Sequence, residues 1–408
     1  MKIGQVVKDY GISVHSLYFY INNGLLVPPR RGSQYEFDQR TLEELALILE
    51  LKQMEFPLKT IHRLLSLRRI SNFCSREDQA ERARIFLGHE ERLRQKEAEL
   101  TVARDRVRRK LADFDVLRQS NRTGVPVQML KLLCCPHCRG ELLLENVTMN
   151  QRYVFQGELS CSCGYSAAIR EGILHTGNVN TSPYDKPDTT RELYRDLPSL
   201  TLSLFEQSYR WLERCISSTA SHGKVWLEGY VNAWFFFHNH LSLLNSEDSL
   251  IVLDKFPETL AAYKEVIENQ GPTCDILYLA DCSMTPPLKR EIIDCSMDFF
   301  ATNEHNFYHQ DLYLSQLRPY LKRHADLYGV YFFFSNGTKS MRKLLHNYPE
   351  SAKHNFNAQW FFQELKKQFR IIETSDCGCS LDSGENLGLG FHVFGEELHL
   401  QPYYAQPL

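Results

Sequence analysis

The stretch Ile3-Gly4-Gln5-Val6-Val7-Lys8-Asp9-Tyr10-Gly11-Ile12-Ser13-Val14-His15-Ser16-Leu17-Tyr18-Phe19-Tyr20-Ile21 decides how the chain begins. Ile3, Val6 and Val7 repeat at helical spacing, and Tyr10-Gly11 stops that helix. Ser13 can cap a second helix, with Leu17, Tyr20 and Ile21 turned inward. Two short helices joined by a Gly-containing turn make a helix-turn-helix. After Asn23 to Pro29 comes an Arg-rich loop, Arg30-Arg31-Gly32-Ser33-Gln34-Tyr35, with the make-up of a wing. A third helix starts near Asp38 and runs through Leu42, Leu45, Leu49 and Leu51. Phe56-Pro57-Leu58 breaks it, and Ile61, Leu64 and Leu65 mark a fourth helix.

This order resembles the MerR family of transcription regulators. Ile3-Gly4 with Val6-Val7, Gly11-Ile12-Ser13-Val14, Phe19-Tyr20, Gly24-Leu25-Leu26, Pro28, Arg30-Arg31 and Phe56-Pro57-Leu58 before Ile61 carry the resemblance over about 70 residues. It implies that the second helix enters the major groove of double-stranded DNA while the wing holds the backbone. His15, Ser16, Tyr18, Tyr20, Arg30, Arg31 and Tyr35 are then the expected DNA contacts, and RNA polymerase is a candidate further partner. The family often has Arg where this chain has His15, Tyr18 and Glu36. Arg–phosphate contacts dominate affinity, so these changes imply weaker binding or an unusual operator.

Working outward, Glu77 to Gln119 lacks Pro and is strongly charged. Phe86, Leu93, Leu100, Val107 and Phe114 fall seven residues apart, and Leu111 and Leu117 widen the stripe. A seven-residue repeat keeps one seam toward a partner helix. The companion positions His89, Lys96 and Lys110 are poor seam residues, so a lone solvated helix competes with a coiled coil. The family resemblance places an antiparallel dimer coil here and implies a homodimer on a palindromic operator.

The chain has 408 residues with a net charge of −3. Residues 1–118 hold 22 Lys and Arg against 17 Asp and Glu, and the rest holds 25 against 33. A basic first third suits a polyanion. Met1-Lys2-Ile3-Gly4 does not read as a signal peptide, and Ala233 to Phe237 is far shorter than the roughly 20 residues of a membrane span. A cytoplasmic protein with no membrane partner is expected. Twelve Cys in such a chain point to reduced thiols and a metal.

Cys135-Pro136-His137-Cys138 and Cys161-Ser162-Cys163-Gly164 have the pairing of a Zn²⁺ site. Cys135, Cys138, Cys161 and Cys163 are the expected ligands; Cys134 and His137 are the alternative donors. The flanks, Leu132-Leu133 and Ile169 to Leu174, resemble the zinc ribbon attached to many methyltransferases. From Ser182 onward strand-like runs alternate with helical ones: Val225 to Leu227, Leu250 to Leu253, Asp275 to Leu279, Cys295 to Phe300 and Gly329 to Phe334. Helices are expected over Pro257 to Glu268 and Leu312 to Arg323, with a closing antiparallel hairpin of Phe369 to Glu373 and Gly390 to Phe394. Such alternation builds a parallel sheet covered on both faces.

This order resembles the class I S-adenosylmethionine-dependent methyltransferases over about 180 residues. The resemblance assigns the cofactor position to Glu228 and Gly229, to Asp254 for the ribose hydroxyls, and to Asp281 with Cys282 beside the adenine. Ile293-Asp294 and Phe299-Phe300 resemble a further family motif. The Gly-rich turn that lets a backbone approach a cofactor is missing, because Tyr230, Val231, Asn232, Ala233 and Trp234 follow Gly229. S-adenosylmethionine is therefore a doubtful ligand, and the pocket is expected to be reshaped for another ligand or filled by the protein. No catalytic constellation stands out. His238, His240, His305 and His309 read as packing or surface residues, and Cys377 and Cys379 as free thiols.

The expected fold is multidomain, α and α/β: a winged helix-turn-helix over 1–76, a coiled-coil helix over 77–119, a zinc ribbon over 128–178 and a Rossmann-like sheet over 182–408. The expected function is DNA-binding regulation with a non-catalytic, ligand-sensing effector domain. An active methyltransferase with a DNA-binding arm, and a zinc or redox sensor, remain the competing readings.

Overall fold

The computed structural model describes residues 1–32, 34–116, 123–178, 180, 182, 185–190, 197–219, 222–283, 285–335, 337–384 and 390–408. The chain packs as two units, Met1–Val116 and Leu117–Leu408. Each is built around its own apolar core.

In the first unit, α1 (Ile3–Tyr10) ends where Gly11 takes the left-handed conformation at φ +62°. α2 (Val14–Asn22) starts at Ser13, whose Oγ accepts the Ser16 amide at 3.0 Å. The two-residue strands β1 (Arg30–Arg31) and β2 (Gln34–Tyr35) pair antiparallel as the wing; Ser33, at its tip, lies outside the described residues. α3 (Gln39–Gln53) is capped by Asp38, which accepts the Thr41 amide at 2.8 Å. α4 (Leu58–Ser71) follows Pro57, and α5 (Arg76–Val116) runs 41 residues. Val6, Leu17, Leu45, Ile48, Ile61 and Leu65 close the core. Arg69 ties this helical cluster together. Its guanidinium grips Glu44 at 2.7 and 2.9 Å and donates to the carbonyls of Gly24 and Leu25 at 3.0 and 2.7 Å. It thereby satisfies two part-buried carbonyls of the loop after α2 with a single side chain.

The stripe on α5 serves two purposes. Phe86, expected on the partner seam, packs instead on Phe56 of its own unit, with ring centroids 5.1 Å apart. His89 is buried beside it, stacked on Phe56 at 3.8 Å, with Nε2 on the Met54 carbonyl at 2.6 Å. From there the stripe opens to solvent: Leu93, Leu100 and Val107 are 38, 61 and 59% exposed. The side chain of Phe114 and all of Leu117 to Gln119 lie outside the described residues.

The second unit is one continuous hydrogen-bonded sheet. It opens with β3 (Val125–Pro126), β4 (Leu143–Met149), β5 (Tyr153–Ser160), β6 (Ser166–Arg170) and β7 (Ile173–His175). α6 (Ser199–Ser218), β8 (Val225–Gly229), α7 (Phe237–His240), β9 (Ser249–Asp254), α8 (Pro257–Gln270), β10 (Asp275–Ala280) and β11 (Ile293–Phe299) follow. Then come α9 (Ala301–His305), α10 (Tyr313–Leu317), β12 (Leu321–Phe334), α11 (Thr338–Asn347), α12 (Ala358–Leu365), β13 (Phe369–Thr374), β14 (Cys379–Ser380) and β15 (Leu398–Pro407). The main strand order is β13-β15-β12-β11-β8-β9-β10-β7-β6-β5-β3. β8 to β12 run parallel, and β15 is antiparallel to both its neighbours β12 and β13. This is a doubly wound, Rossmann-like sheet whose order reverses between β8 and β11.

Alternating strand residues enter two separate cores, as a two-residue period requires when both faces are covered. Trp226, Leu250, Val252 and Tyr278 pack with α6 and α8. Leu227, Ile251, Leu253 and Leu279 pack with α10, α12 and the cysteine-bearing ribbon. That ribbon is not a pendant module. β7 pairs parallel with β10, register Tyr278↔Ile173 to Ala280↔His175, so residues 128–178 and the later strands share one sheet.

Two expected elements differ. Helix stops at Leu317 rather than Arg323, because Pro319 cannot continue it, and Leu321 to Arg323 begin β12. Phe369 to Thr374 is an edge strand as expected, but its partner is β15 and not Gly390 to Phe394, which form no strand. Among the described residues no helix is long and apolar enough to cross a membrane.

The Arg69–Glu44 pair is the test of the first unit. Arg69→Leu leaves Glu44 and two carbonyls without their donor and should cost roughly 3 kcal/mol, the range for breaking one side of a shielded pair. Thermal unfolding followed at the helical signal reads it; a melting point within a degree or so of wild type would remove Arg69 from the core account.

Candidate DNA-binding face, metal cluster and cofactor position

α2 and the wing share one exposed face. His15, Tyr18 and Phe19 point to solvent, and Ser16 is half-buried with Oγ 2.8 Å from Ser13 Oγ. Tyr18 meets Tyr35 edge-on at 6.2 Å. Arg30 lies over the Tyr35 ring at 4.7 Å and donates to its hydroxyl at 2.6 Å, so its guanidinium is held before any ligand arrives. Arg31 faces solvent, with Glu36 at 3.9 Å as its weak ionic neighbour among the described residues. Tyr20 is the exception among the expected contacts. It is 8% exposed and belongs to the helical core, because it lies three residues beyond Leu17 on the inward face.

The four cysteines of the ribbon converge. Cys135 and Cys163 Sγ are 3.4 Å apart, as are Cys138 and Cys161 Sγ, and all four lie within 4.8 Å of one another. All are free thiols, far from the roughly 2.05 Å of a disulfide. Four thiolates about 2.3 Å from one ion stand roughly 3.7 Å apart, so the spacing suits a tetrahedral ion. Gly140 gives the cluster room: a Cβ there would stand 3.3 Å from Cys138 Sγ. Gly164, at φ +93°, turns the second pair back toward the first. The alternative donors are placed elsewhere. Cys134 is buried with its thiol toward the Leu288 carbonyl at 3.3 Å, and His137 packs edge-on to Tyr165.

At the carboxyl ends of β8, β9 and β10 the acidic residues of the expected cofactor position are all buried, and each is already engaged. Glu228 accepts the amides of Phe236 at 2.5 Å and Phe237 at 3.1 Å. Asp254 accepts those of Asn232 and Phe256, both at 2.8 Å. Asp281 accepts the Ser283 amide and hydroxyl at 2.8 and 2.6 Å and the Asn178 side chain at 3.2 Å. Gly229 ends β8 buried, and Cys282 is half-buried in the turn beyond β10. Where a glycine was expected, Tyr230 takes φ +55° and is 2% exposed. Phe235, Phe236 and Phe237 are wholly buried. Asn232 staples the segment above the loop, donating to the Lys186 carbonyl and accepting the Asp188 amide. Beside this closed loop a cleft of about 670 Å³ remains, with Arg170, His175, Asn178, Lys255 and Glu258 among its walls.

Groups to which the sequence assigned no functional role gather around Tyr230. Its hydroxyl lies 2.8 Å from His305 Nδ1, and His305 Nε2 lies 3.1 Å from Asp311. His309 stacks on His305. Burial pushes His305 down to about 4. Lys255 is buried in ion pairs with Asp185 and with Glu304 at 2.8 Å. The four-residue step from His305 to His309 was the readable signal, since a helical turn brings such residues to one side.

Burial pushes Glu228 up to about 8 from 4.5, and Asp254 up to about 7 from 3.8. A carboxyl raised in this way keeps a proton that the unfolded chain releases. Its contribution is full below about 4.5 and is lost as pH rises through about 8. In Glu228→Gln the fall in stability between about pH 5 and pH 8.5 should be shallower than in wild type, read as melting temperature against pH. Parallel curves would show that Glu228 holds the same charge folded and unfolded.

Residues 1–67 match the description MerR HTH family regulatory protein. A curated relative, the HTH-type transcriptional regulator ZntR homolog of Haemophilus influenzae, is 32% identical over 73 residues, which are 17% of this chain and 54% of that one. The chain thus spans about half the length of the curated relative it matches. Solved structures similar to this chain include a SAM dependent methyltransferase from Aquifex aeolicus, 15% identical with a TM-score of 0.37 over 55% of this chain and 100% of that one. YjhP from E. coli is 9% identical with a TM-score of 0.39 over 54% and 98%. The Haemonchus contortus phosphoethanolamine N-methyltransferase 2 in complex with S-adenosyl-L-methionine is 13% identical with a TM-score of 0.36 over 55% and 61%. Likeness at such scores carries nothing for the fold, which rests on strand order and register. Residues 1–67, with their capped helices and wing, are a helix-turn-helix domain of the MerR family.

Proposed function

We propose that this protein is a dimeric, DNA-binding transcription regulator whose methyltransferase-like unit senses a ligand and does not transfer methyl groups. The observation that carries the DNA reading is the shared face of α2 and the wing, with Arg30 fixed on Tyr35 and Arg31 free to reach phosphate. His15, Ser16 and Tyr18 are the contacts aimed at base edges. Dimerisation uses the open part of the α5 stripe, Leu93 to Leu111. Leu93 and Leu100 already line a groove with Glu55, Lys96 and Arg104, which a second helix of mixed charge would fill.

The cysteine cluster fits Zn²⁺. Cys135, Cys138, Cys161 and Cys163 would hold it as a closed set of four thiolates, which supplies folding energy and leaves no open position for chemistry. The absence of catalysis rests on Glu228 and Asp254. Both carboxylates are spent on backbone amides, and Tyr230 fills the place of a glycine, so the hydroxyls and backbone approach of S-adenosylmethionine lack partners. The ligand of the sensing unit then belongs in the neighbouring cleft rather than at the cofactor position.

Two measurements test these readings. Arg30→Ala with Arg31→Ala should weaken binding to mixed-sequence duplex DNA. Because each phosphate contact contributes about 0.9 to the slope of log affinity against log salt, the slope should fall by about 2. An unchanged slope removes the wing from the interface. Calorimetry with S-adenosylmethionine and S-adenosylhomocysteine should detect no binding tighter than about 1 mM. Tighter binding that is lost in Asp254→Asn would revive the active-enzyme reading, and a labelled methyl-transfer assay would then decide it.

A further inference from the structure

The loop that follows β11 brings three metal-binding side chains together at the point where the sheet order reverses. His305 closes α9, and the His309 amide bonds back to the His305 carbonyl at 3.0 Å, adding one more helical turn. The two imidazoles therefore lie on one side, stacked with centroids 4.3 Å apart and planes 14° from parallel. Asp311 comes two residues later, its Oδ1 3.1 Å from His305 Nε2. One donor atom from each of the three residues lies within 4.8 Å of the other two. His305 is fully buried, whereas His309 and Asp311 are exposed, so the cluster has an anchored inner member and an outer side open to solvent.

Its position in the fold adds a second, independent argument. Tyr230 directly follows β8 and α9 directly follows β11, the two strands between which the order reverses. Doubly wound sheets take their ligands at that place, outside the carboxyl ends of the strands. Here the Tyr230 hydroxyl sits 2.8 Å from His305 Nδ1. A metal-bound imidazole needs such a neighbour, because hydrogen bonding at one ring nitrogen fixes the tautomer and aims the other. The nearby cation, Lys255, is offset by Asp185 and Glu304.

We propose that His305, His309 and Asp311 form a binding site for a divalent transition-metal ion, separate from the four-cysteine cluster, with Tyr230 as the positioning residue for His305. Two imidazoles and a carboxylate are ligands suited to ions of Zn²⁺, Co²⁺ or Ni²⁺ character. On binding, the neutral imidazole of His305 changes tautomer. Its single proton, shared between Nε2 and Asp311 before binding, comes to rest on Nδ1 and is donated to the Tyr230 oxygen. The freed Nε2 lone pair and the Asp311 carboxylate turn to the ion, and no net proton is released. Three protein donors leave at least one position for water or a further ligand, unlike the closed cysteine set. The site thus gives the second unit a means of responding to a metal ion or to a small ligand bound through it.

The competing account is a hydrogen-bonded chain, Asp311–His305–Tyr230, that only fastens the loop. Loading the full chain with Co²⁺ separates the two. Wild type should take up two equivalents per chain, one with thiolate-to-cobalt charge-transfer absorption and one without it. His309→Ala and Asp311→Asn, both at exposed positions, should each abolish the second equivalent or weaken it at least tenfold, and leave the thiolate band unchanged. If Co²⁺ uptake outside the thiolate band is absent in wild type, or is equal in wild type and both variants, the proposal is overturned. Its outcome is independent of whether the cysteine cluster loads, since the two sites are read by different signals.

Discussion

The second unit is organised by two carboxyl groups that never reach water. Glu228 and Asp254 end adjacent parallel strands, and each accepts two backbone amides from the loops that follow. A buried acceptor left unmatched costs about 1–3 kcal/mol, so these loops cannot swing away without exposing that cost. The amide of Asn232 is held to Asp254, which places Tyr230 and the aromatic run from Trp234 to Phe237. That run then packs against Phe205, Tyr209 and Phe299 on one face of the sheet. These acidic strand ends shape the protein itself, fixing the loops that follow them.

A second constraint is the parallel pairing of β7 with β10. It makes the ribbon that carries the cysteine cluster an extension of the sheet, and residues of the same ribbon line the cleft. β6 joins β7 through register Ala168↔His175 to Arg170↔Ile173, and Arg170 and His175 both line that cleft. Order in the ribbon is therefore order in the cleft wall. A metal held by the four cysteines would suit that duty, because it would add stiffness to hairpins too small to bury much apolar surface of their own.

Much of this architecture was readable because it depends on local chemistry. Ser13 and Asp38 announce helix starts through their side-chain caps, and Gly11 announces a stop. The five parallel strands stand out as apolar runs because both of their faces are covered. The end of the chain was harder. β15 contains Pro402 and Pro407, which argue against a strand, while Gly390 to Phe394 has the more strand-like composition. β15 forms because β12 offers eight residues of partner, Leu327 to Phe334, a long-range fact that no window of sequence contains. Arg69 was unreadable for the same reason: its partners lie 25 to 45 positions away. At the candidate sites, the cysteine spacing selected its four residues correctly as a converging group, and the alternatives Cys134 and His137 face elsewhere. His305 is buried and His309 exposed, as packing and surface residues are, but their juxtaposition with Asp311 and Tyr230 was not legible, because it needs a turn beyond α9 and a tyrosine that follows another strand.

The long helix of the first unit shows how one period can carry two tasks. Phe86 and His89 fall on the stripe's side of α5, yet they are spent on Phe56, where α3 turns into α4. His89 would be a poor seam residue, but here its ring nitrogens are matched by the Met54 carbonyl and Arg92. One or two turns later the stripe leaves this unit's core and Leu93, Leu100 and Val107 stand open. The line continues across that change because residues seven apart on a straight helix drift by only about 20° per heptad. The same face that docks the helix on its own unit is thus carried forward as an apolar line, with Lys96 tied back to Glu55 at 2.5 Å beside the crossover. Polar residues at the companion positions follow from this arrangement: near the unit they serve intrachain contacts, and only beyond it does the line face outward.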